Sequence, residues 1–517
     1  MPRIARHPLF SLSLDTASGE KLHRQLYAQI RAAILSGRLA PGAALPSSRL
    51  IAAELGCARG TVLLAVDQLA AEGYVRSSGG SGTFVVDELP DDLLSLRRAA
   101  ARRASADAAP ARARLSRRAE ALLNLATRPP AVAAGAPFAP GQPALDQFPS
   151  TLWARLLEQA WRHPEAGLLL LNHPAGHPRL RAAIADYLRA ARGLDCRPEE
   201  IIVTAGTQHA ISLVARCLID AGDPVWLEEP CYPGLHATLI AAGAATVPVP
   251  VDREGLSVAQ GRALAPAARL AVVTPSRQYP LGTVMSLARR LELLRWAAEA
   301  EAWIVEDDYD SEYRYRGRPL EPLRLLDETR RVIYVGTFSK VLFPTLRLGY
   351  LVAPPALTEA FARSLTALEP LAAMVAQTAL AAFIAEGHFA VHLRRMRHLY
   401  AARQAVLTEA AARLLGGRLM LVPDDAGMHV MGFPPEGAPF DDAAVAATAA
   451  KQGVVVPPLS QLYAGPEKRA GLMFGYAGVA PERMAPALAK LAAVIDAASS
   501  SAASDRSRRS PQKARPA

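Results

Sequence analysis

The first ninety residues show a helical spacing of apolar positions and then a strand spacing. Between 21 and 36, apolar side chains recur every three or four positions, so they share one face of a helix. Two further segments, 46–56 and 58–73, each end in a glycine and predict two more helices. Residues 74–85 follow as a strand, a glycine turn and a second strand. Three helices and a β-hairpin predict a winged helix-turn-helix.

From about residue 165 onward, short apolar runs alternate with helical stretches. The runs have the length of buried strands and are bounded by turn residues; they lie at 201–206, 223–230, 246–251, 270–276, 303–309 and 332–340. This alternation predicts an α/β body with a mostly parallel central sheet. In such sheets, ligands bind at the carboxyl ends of the strands.

The distribution of charged residues indicates further boundaries between segments of the chain. Lys and Arg number 58 against 48 Asp and Glu, and the net charge of +10 suits a polyanionic partner. Much of the excess lies in two Arg-rich segments with few large apolar residues, which cannot bury enough surface to fold alone. We therefore expect a winged helix over 1–88, a linker over 89–124, a large body over 125–497 and a disordered basic tail over 498–517.

The sequence shows no pattern typical of a secreted or membrane protein. Its N-terminus lacks the continuous apolar segment of a secretory signal, and no apolar run approaches the roughly 20 residues that a bilayer requires. Its four cysteines include no CxxC pair, so we expect neither a disulfide scaffold nor a structural zinc site, and we assign no metal ligands. We expect a cytoplasmic protein.

The predicted winged helix carries polar and basic residues where such modules contact DNA. A helix N-terminus with short polar side chains and an arginine can enter the major groove, and a glycine-rich wing can approach the backbone closely. The candidate contacts are Ser47, Arg49, Arg59, Thr61, Gly79 and Gly80. Alternatives stay open: the serines at 47 and 48 can be helix N-caps, the two glycines can serve turn geometry, and three helices can bind a protein instead.

Two of the predicted strands end in residues that suit a phosphate and a ring. Gly206, Thr207 and Gln208 form a strand-to-helix turn, where free backbone N–H groups attract a phosphate. The run EDDYD at 306–310 ends another strand, and a carboxylate there can hold a protonated ring nitrogen. The same run can instead be an acidic loop or a magnesium site.

A third strand ends at Lys340, after Thr337 and Ser339 and seven residues before Arg347. Partial burial lowers the pKa of a lysine and makes its amine nucleophilic, and hydroxyls with an arginine can hold a phosphate. A lysine that forms a Schiff base, a carboxylate for a pyridinium nitrogen and a phosphate cup are the parts that pyridoxal 5′-phosphate requires. A lone lysine after a strand is more often a solvated end, so the ordered set carries the prediction.

Residues 22–85, with LPSSR and GSGTFV as specific motifs, resemble the GntR-type winged helix. The body resembles fold-type I aminotransferases through VTAGTQHA, EEPCYPG, VEDDYDSEYRY and GTFSKVLFPTLRLGY. A winged helix, a linker and an aminotransferase-like body in this order resemble the MocR subfamily of transcription regulators. One departure is Gly60, where many relatives carry a polar residue; it removes a possible DNA contact and weakens the first turn of the recognition helix.

The resemblance implies roles for single residues. Lys340 would carry pyridoxal phosphate as a Schiff base, Asp307 would pair with the ring nitrogen, Tyr309 with the ring hydroxyl, and Tyr232 would stack on the ring. The phosphate would be held by Gly206, Thr207, Gln208, Thr337, Ser339 and Arg347. The family is typically a head-to-tail homodimer, and some of these contacts would cross the subunit boundary.

Departures from the family pattern bear on the ligand. Leu171 lies where relatives often have a tyrosine that reaches the partner's cofactor, and Arg277 and Tyr279 replace a His and a Phe. Met473 lies where aminotransferases place the arginine that binds a substrate carboxylate, a role for which Arg277 or Arg469 could substitute.

Three functions remain in view at this point. The first is a regulator that binds a DNA operator and whose body senses a small effector, either pyridoxal phosphate itself or an amino compound. The second is a working aminotransferase with an accessory DNA module, and the third is a scaffold that binds DNA but no cofactor. We adopt the regulator, with transaminase activity weak or absent. Met473 counts against a working aminotransferase, and a scaffold without cofactor is opposed by the intact Asp307, Tyr309, Lys340 and Arg347.

Overall fold

The computed structural model divides the chain into two compact units, 1–114 and 115–517. The residues that it describes are 12–78, 82–87, 89, 114–125, 135–162, 164, 173–317, 320–368 and 374–509, with side chains as far as 500 except those of residues 78, 124 and 368. Three positions singled out in the sequence, Gly79, Gly80 and Leu171, lie outside this part.

The first unit contains the predicted winged helix-turn-helix. Its helices are α1 (Leu22–Leu35), α2 (Ser48–Glu54) and α3 (Arg59–Ala71), and its strands are β1 (Ala44–Leu45), β2 (Val75–Ser78) and β3 (Gly82–Val85). The strands form an antiparallel sheet in the order β1-β3-β2. Leu26, Ile30, Val62, Leu69 and Val85 are fully buried between helices and sheet. The two-residue strand β1 is too short to show a period in the sequence, so it was not predicted.

The second unit is built on an eight-stranded sheet. Its strands are β4 (Ile201–Thr204), β5 (Pro224–Glu229), β6 (Ala245–Asp252), β7 (Gly255–Leu256), β8 (Leu270–Val273), β9 (Trp303–Asp308), β10 (Val332–Thr337) and β11 (Gly349–Val352), in the spatial order β4-β11-β10-β9-β8-β5-β6-β7. Strands β10, β9, β8, β5 and β6 are parallel to their neighbours in this series. Antiparallel β11 connects β10 to β4, and β7 is antiparallel to β6. The predicted α/β body with a mostly parallel sheet is confirmed.

Helices cover both faces of this sheet. Along β8, Leu270 and Val272 belong to one hydrophobic cluster and Ala271 and Val273 to another, because successive side chains of a strand point to opposite faces. A second, three-stranded antiparallel sheet comprises β12 (Met420–Val422), β13 (His429–Phe433) and β14 (Leu472–Gly475). The helices of this unit are α4 (Arg117–Asn124), α5 (Ser150–Arg162), α6 (Pro178–Arg192), α7 (Thr207–Leu218), α8 (Pro233–Ala242), α9 (Val258–Leu264), α10 (Leu287–Glu299), α11 (Pro355–Leu368), α12 (Met374–Ala385), α13 (His388–Leu414), α14 (Asp442–Lys451) and α15 (Pro481–Arg509).

Helices occur in both segments for which the composition suggested little structure. Helix α4 lies in the expected linker, is N-capped by Ser116, and is held to α8 by a hydrogen bond of 3.0 Å from Arg118 to the carbonyl oxygen of Ala241. Helix α15 continues to Arg509, so it includes residues 498–509 of the segment for which disorder was expected. The alanines and arginines of that segment favour continuation of a helix whose earlier turns are packed.

No single described helix is long and apolar enough to cross a membrane. Helices α12 and α13 meet that condition only when they are counted together, and they are bent by 76° where they meet.

Gly261 provides a test of the packing beneath the sheet. A Cβ at this position in α9 would lie 2.9 Å from ring atoms of Trp226, which stacks on Trp296 with ring centroids 3.8 Å apart. We expect Gly261→Ala to destabilise the body by about 1–3 kcal/mol, because an added methyl group overpacks a filled core. Urea unfolding measures this, with Gln260→Ala on the exposed side of the same helix as control. Equal stability of the two variants would contradict the packing described here.

Candidate functional site

Four elements of the large sheet bring the candidate residues to one edge. Strands β9 and β10 are parallel, with Asp308 opposite Gly336, so the acidic run and Thr337 end side by side. Strand β11 returns along the same edge so closely that a Cβ on Gly349 would lie 2.9 Å from Cα of Gly206. The sheet therefore gathers residues that are more than 100 positions apart in the sequence.

The turn after β4 and Arg347 form a positively polarised cup. Gly206 has a φ of 98°, which favours glycine, and it precedes α7, whose first residues are Thr207 and Gln208. A Cβ on Gly206 would lie 3.9 Å from a guanidinium nitrogen of Arg347. An arginine beside the N-terminus of a twelve-residue helix attracts an anion through its charge and through the free N–H groups of the first turn.

Lys340 lies at the end of β10 among polar groups. Its Nζ is 3.4 Å from the carbonyl oxygen of Gly141, and a Cβ on Gly141 would collide with that nitrogen. Burial lowers the pKa of Lys340, and the negative charges of Asp310 and Asp307 oppose the shift. The Oγ1 of Thr337 accepts a hydrogen bond of 3.2 Å from the backbone N–H of Ser339. The Oγ of Ser339 is buried and has no hydrogen-bond partner among the described residues.

The carboxylates of the acidic run have different partners. Glu306 accepts hydrogen bonds from the backbone N–H groups of Leu323 and Arg324, at 2.7 and 2.9 Å. Asp308 forms a buried ion pair of 2.7 Å with Arg192 at the end of α6. Both carboxylates are therefore occupied by the protein itself and hold the strand end in place.

Asp307 differs from its neighbours. Asp310 forms an ion pair of 3.1 Å with Arg277, whereas Oδ1 of Asp307 is buried without a hydrogen-bond partner among the described residues. Burial, followed by the charges of Asp308, Glu228 and Asp310, raises the pKa of Asp307 to about 8. A cation placed against this oxygen would lower that pKa and relieve the cost of an ionised, buried carboxylate.

Three tyrosines line the site beside these carboxylates. The ring of Tyr279 contacts the rings of Tyr232 and Tyr309 edge to face, at centroid distances of 5.7 and 5.9 Å. Tyr232 is 45% exposed, so one part of its ring is accessible to a ligand. Gln208 donates a hydrogen bond of 3.0 Å to the carbonyl oxygen of Gly234, whose Cα lies against the ring of Tyr232. The aromatic group and the anion cup are thus adjacent.

Arg277 makes contacts that the sequence did not indicate. Its buried guanidinium donates to Tyr309 at 3.1 Å, to Asp424 at 2.8 Å and to the carbonyl oxygen of His429 at 2.7 Å, besides its pair with Asp310. The N–H groups of Arg277 therefore connect Tyr309 to the segment that leads into β13. Gly141 and Arg192 were also missed, because nothing in their local sequence marks a contact with Lys340 or Asp308.

The winged helix places its candidate residues at the N-termini of α2 and α3. Ser47 is the N-cap of α2, accepting a hydrogen bond of 3.3 Å from the backbone N–H of Leu50, so its hydroxyl has a structural role. Arg49 and Arg59 are exposed, and Arg59 donates a bond of 3.2 Å to the hydroxyl of Ser48. Thr61 is half-buried in the first turn of α3. These helix N-termini form an exposed basic surface; Gly79 and Gly80 lie outside the described residues.

Comparison with known proteins identifies both units. Residues 22–85 match the family of bacterial regulatory proteins called gntR, and residues 138–491 match aminotransferase class I and II. The body resembles the crystal structure of an archaeal alanine:glyoxylate aminotransferase, with a TM-score of 0.63 and 27% identity over 70% of this chain and 90% of that one. It also resembles LysN, an α-aminoadipate aminotransferase from Thermus thermophilus, with a TM-score of 0.64 and 26% identity over 74% and 95% of the chains. The fold is that of the class I and II aminotransferases.

Full-length relatives narrow this class. The chain is 43% identical to a probable rhizopine catabolism regulatory protein, MocR, of Rhizobium meliloti, over 95% of this chain and 97% of the relative. It is 35% identical to the pyridoxine biosynthesis transcriptional regulator PdxR of Corynebacterium glutamicum, over 90% and 94%. The chain belongs to the MocR-type regulators, which join a GntR-type DNA-binding domain to an aminotransferase-like domain.

Substitutions at Asp307 and Asp308 test the difference between a buried carboxylate with an oxygen that has no partner among the described residues and one that is paired with an arginine. The pKa of Asp307 lies above its ordinary value, so the folded protein binds more protons than the unfolded chain and loses stability as the pH rises through about 8. In cofactor-free protein, Asp307→Asn should therefore raise the melting temperature at pH 8.5. Asp308→Asn should lower it by an amount corresponding to about 3–5 kcal/mol, because Arg192 loses its buried partner.

Thermal unfolding from pH 6 to pH 9 measures both effects. The wild-type melting temperature should fall across this range, and that of Asp307→Asn should fall less. A similar loss of stability in both variants at pH 8.5 would contradict the distinction between the two carboxylates.

Proposed function

We propose that the body of this regulator binds pyridoxal phosphate at the edge formed by β4, β9 and β10. Lys340 would attach the cofactor, Asp307 would face the ring nitrogen, Tyr309 the ring hydroxyl and Tyr232 the ring face. The phosphate would lie in the cup of Gly206, Thr207, Gln208, Thr337, Ser339 and Arg347. When bound, this cofactor supplies an aldehyde that reacts with amines.

The unpartnered Oδ1 of Asp307 is the observation that carries the proposal. Three of the four carboxylates in the run 306–310 are satisfied by backbone N–H groups or by arginine, and one oxygen of the fourth is buried without a partner among the described residues. A protonated ring nitrogen is the group that this oxygen lacks. The unpartnered hydroxyl of Ser339 at the cup agrees with it, because a phosphate oxygen would accept its hydrogen.

The protein's own residues would set the properties of this site. Desolvation keeps the amine of Lys340 closer to its neutral, nucleophilic form. Arg277 holds the hydroxyl of Tyr309 in a fixed position and stabilises its partial negative charge. The dipole of α7 and the charge of Arg347 would fix the phosphate and, with it, the position of the ring.

We further propose that the body senses a ligand instead of catalysing transamination. Met473 in β14 is buried among apolar side chains at the position of the carboxylate-binding arginine of aminotransferases. Without a bidentate partner, an amino-acid substrate is held less firmly and in a less defined orientation. A working aminotransferase remains the second candidate, because the residues assigned to the cofactor are all present.

Regulation would require two arrangements of the protein with different affinities for the effector. We propose a cytoplasmic head-to-tail homodimer in which ligand binding beside Lys340 alters how the two winged helices engage an operator. Pyridoxal phosphate itself and an amino compound are both candidate effectors.

Lys340→Ala tests the cofactor assignment. Wild-type protein incubated with pyridoxal phosphate and then desalted should retain visible absorbance. The variant should lose it, because the amine proposed to attach the cofactor is gone. Lys490→Ala, at an exposed lysine of α15, serves as control and should behave as wild type. Retention of the absorbance by Lys340→Ala would assign attachment to another residue.

Arg59→Ala tests the DNA-binding surface. We expect weaker binding to DNA from upstream of the protein's own gene, and a slope of log K against log salt concentration that is smaller by about 0.9, because one phosphate contact releases one counterion less. Fluorescence anisotropy at several salt concentrations measures both quantities. Arg38→Ala, at an exposed arginine of the same unit, should leave them unchanged. An unaltered slope in Arg59→Ala would remove Arg59 from the interface.

A further inference from the structure

We propose that the effector recognised beside Lys340 is a primary amine that carries no carboxylate. The proposal rests on the proposed function, since an aldehyde-bearing cofactor recognises amines. It goes further by excluding α-amino acids as the preferred ligand. The groups that surround the tyrosines of the site support it.

An apolar cluster lies where a carboxylate clamp would be expected. Met431, Leu459 and Met473 are buried together, with exposures of 3%, 0% and 1%. Met473 is paired with Met431 across β13 and β14, so both side chains lie on the same face of that sheet. Burying a carboxylate against thioethers and a leucine would cost its hydration without any compensating hydrogen bond.

Tyr279 connects this cluster to the cofactor residues. Its ring packs against the Met431, Leu459 and Met473 cluster and also contacts Tyr232 and Tyr309. A ligand whose amine reached Lys340 past these tyrosines would therefore have the apolar cluster close to its other end. Tyr279 thus links Met473 to the residues proposed to hold the cofactor.

The two arginines that could replace the missing clamp have other roles. Arg277 already donates to two carboxylates, a tyrosine and a carbonyl oxygen, and a ligand carboxylate would have to displace one of them. Arg469 is exposed and stacks on Phe433, with its Cζ 3.7 Å from the ring centroid. A carboxylate paired with a hydrated arginine gains little, because water screens the attraction.

A carboxylate of the protein adds repulsion. The Oε1 of Glu229 accepts a hydrogen bond of 2.7 Å from the backbone N–H of Gly465, and its charge interacts with Tyr463, which packs against the apolar cluster. Oε2 of Glu229 is buried without a hydrogen-bond partner among the described residues. An anionic ligand group near this position would meet a like charge, whereas a hydroxyl or ammonium group would find an acceptor.

Matched pairs of ligands test the proposal on the full-length, cofactor-loaded protein. The probes are 2-phenylethylamine with L-phenylalanine and ethanolamine with L-serine, which differ within each pair only by the carboxylate. The readout is the change in the absorbance spectrum of the bound cofactor as each probe is titrated. In a pair that responds, we expect the amine to reach half-saturation at a concentration at least tenfold lower than the amino acid does. Equal or tighter binding of the amino acids, or no response to any probe, would overturn the inference.

Substitution of Met473 provides the second arm. Met473→Arg should shift the ratio at least tenfold in favour of the amino acid, since it restores a bidentate partner, and Met473→Leu should keep the wild-type ratio. Arg469→Ala should also leave the ratio unchanged; loss of the amino-acid response in that variant would identify Arg469 as the clamp and overturn the inference. If Met473→Arg does not fold, the ratios of amine to amino-acid half-saturation measured on the wild-type protein test the inference.

Failure of the proposed function can be distinguished from failure of the inference about the carboxylate. If wild-type protein shows no cofactor absorbance after incubation and desalting, the proposed function is wrong. If the absorbance is present and amino acids are preferred, only the inference about the carboxylate is wrong.

Discussion

Burial of four carboxylates within five residues is the constraint on which the candidate site depends. A buried carboxylate is costly unless hydrogen bonds or an opposite charge compensate it. Glu306 is compensated by backbone N–H groups, Asp308 by Arg192 and Asp310 by Arg277. These partners come from the segment after β9, from α6 and from the loop after β8. The arrangement leaves Oδ1 of Asp307 buried without a hydrogen-bond partner among the described residues.

The same fold serves enzymes and regulators, so the fold alone does not decide between them. The body shares its architecture with aminotransferases, whereas the full-length relatives are regulators. In this chain Met473 belongs to a buried apolar cluster, and Arg277 is paired with Asp310 and Asp424. A site of this kind can keep the affinity of the fold for its cofactor while it loses the orientation that turnover of amino acids requires.

Local patterns predicted the elements better than they predicted the contacts between them. The three helices of the winged helix, the N-cap at Ser47 and the main parallel strands follow from apolar spacing, glycines and capping residues. Short strands such as β1 and β7 were missed because two residues show no period. That Oδ1 of Asp307 has no hydrogen-bond partner among the described residues was not predictable either. Arg192 lies 116 positions from Asp308, and only the fold shows which carboxylate has a partner.

The connections of Arg277 have a mechanical consequence. One rigid guanidinium is bonded both to the segment 309–310 at the ligand edge and to the segment 424–429 that leads into β13. A Cβ on Gly427 would collide with this guanidinium, so the second segment closes tightly over it. A shift of Tyr309 would therefore act on the same guanidinium that binds Asp424 and the carbonyl oxygen of His429. The ligand edge of the large sheet and the start of β13 thus depend on one shared cation, and its loss would leave both Asp310 and Asp424 without that partner.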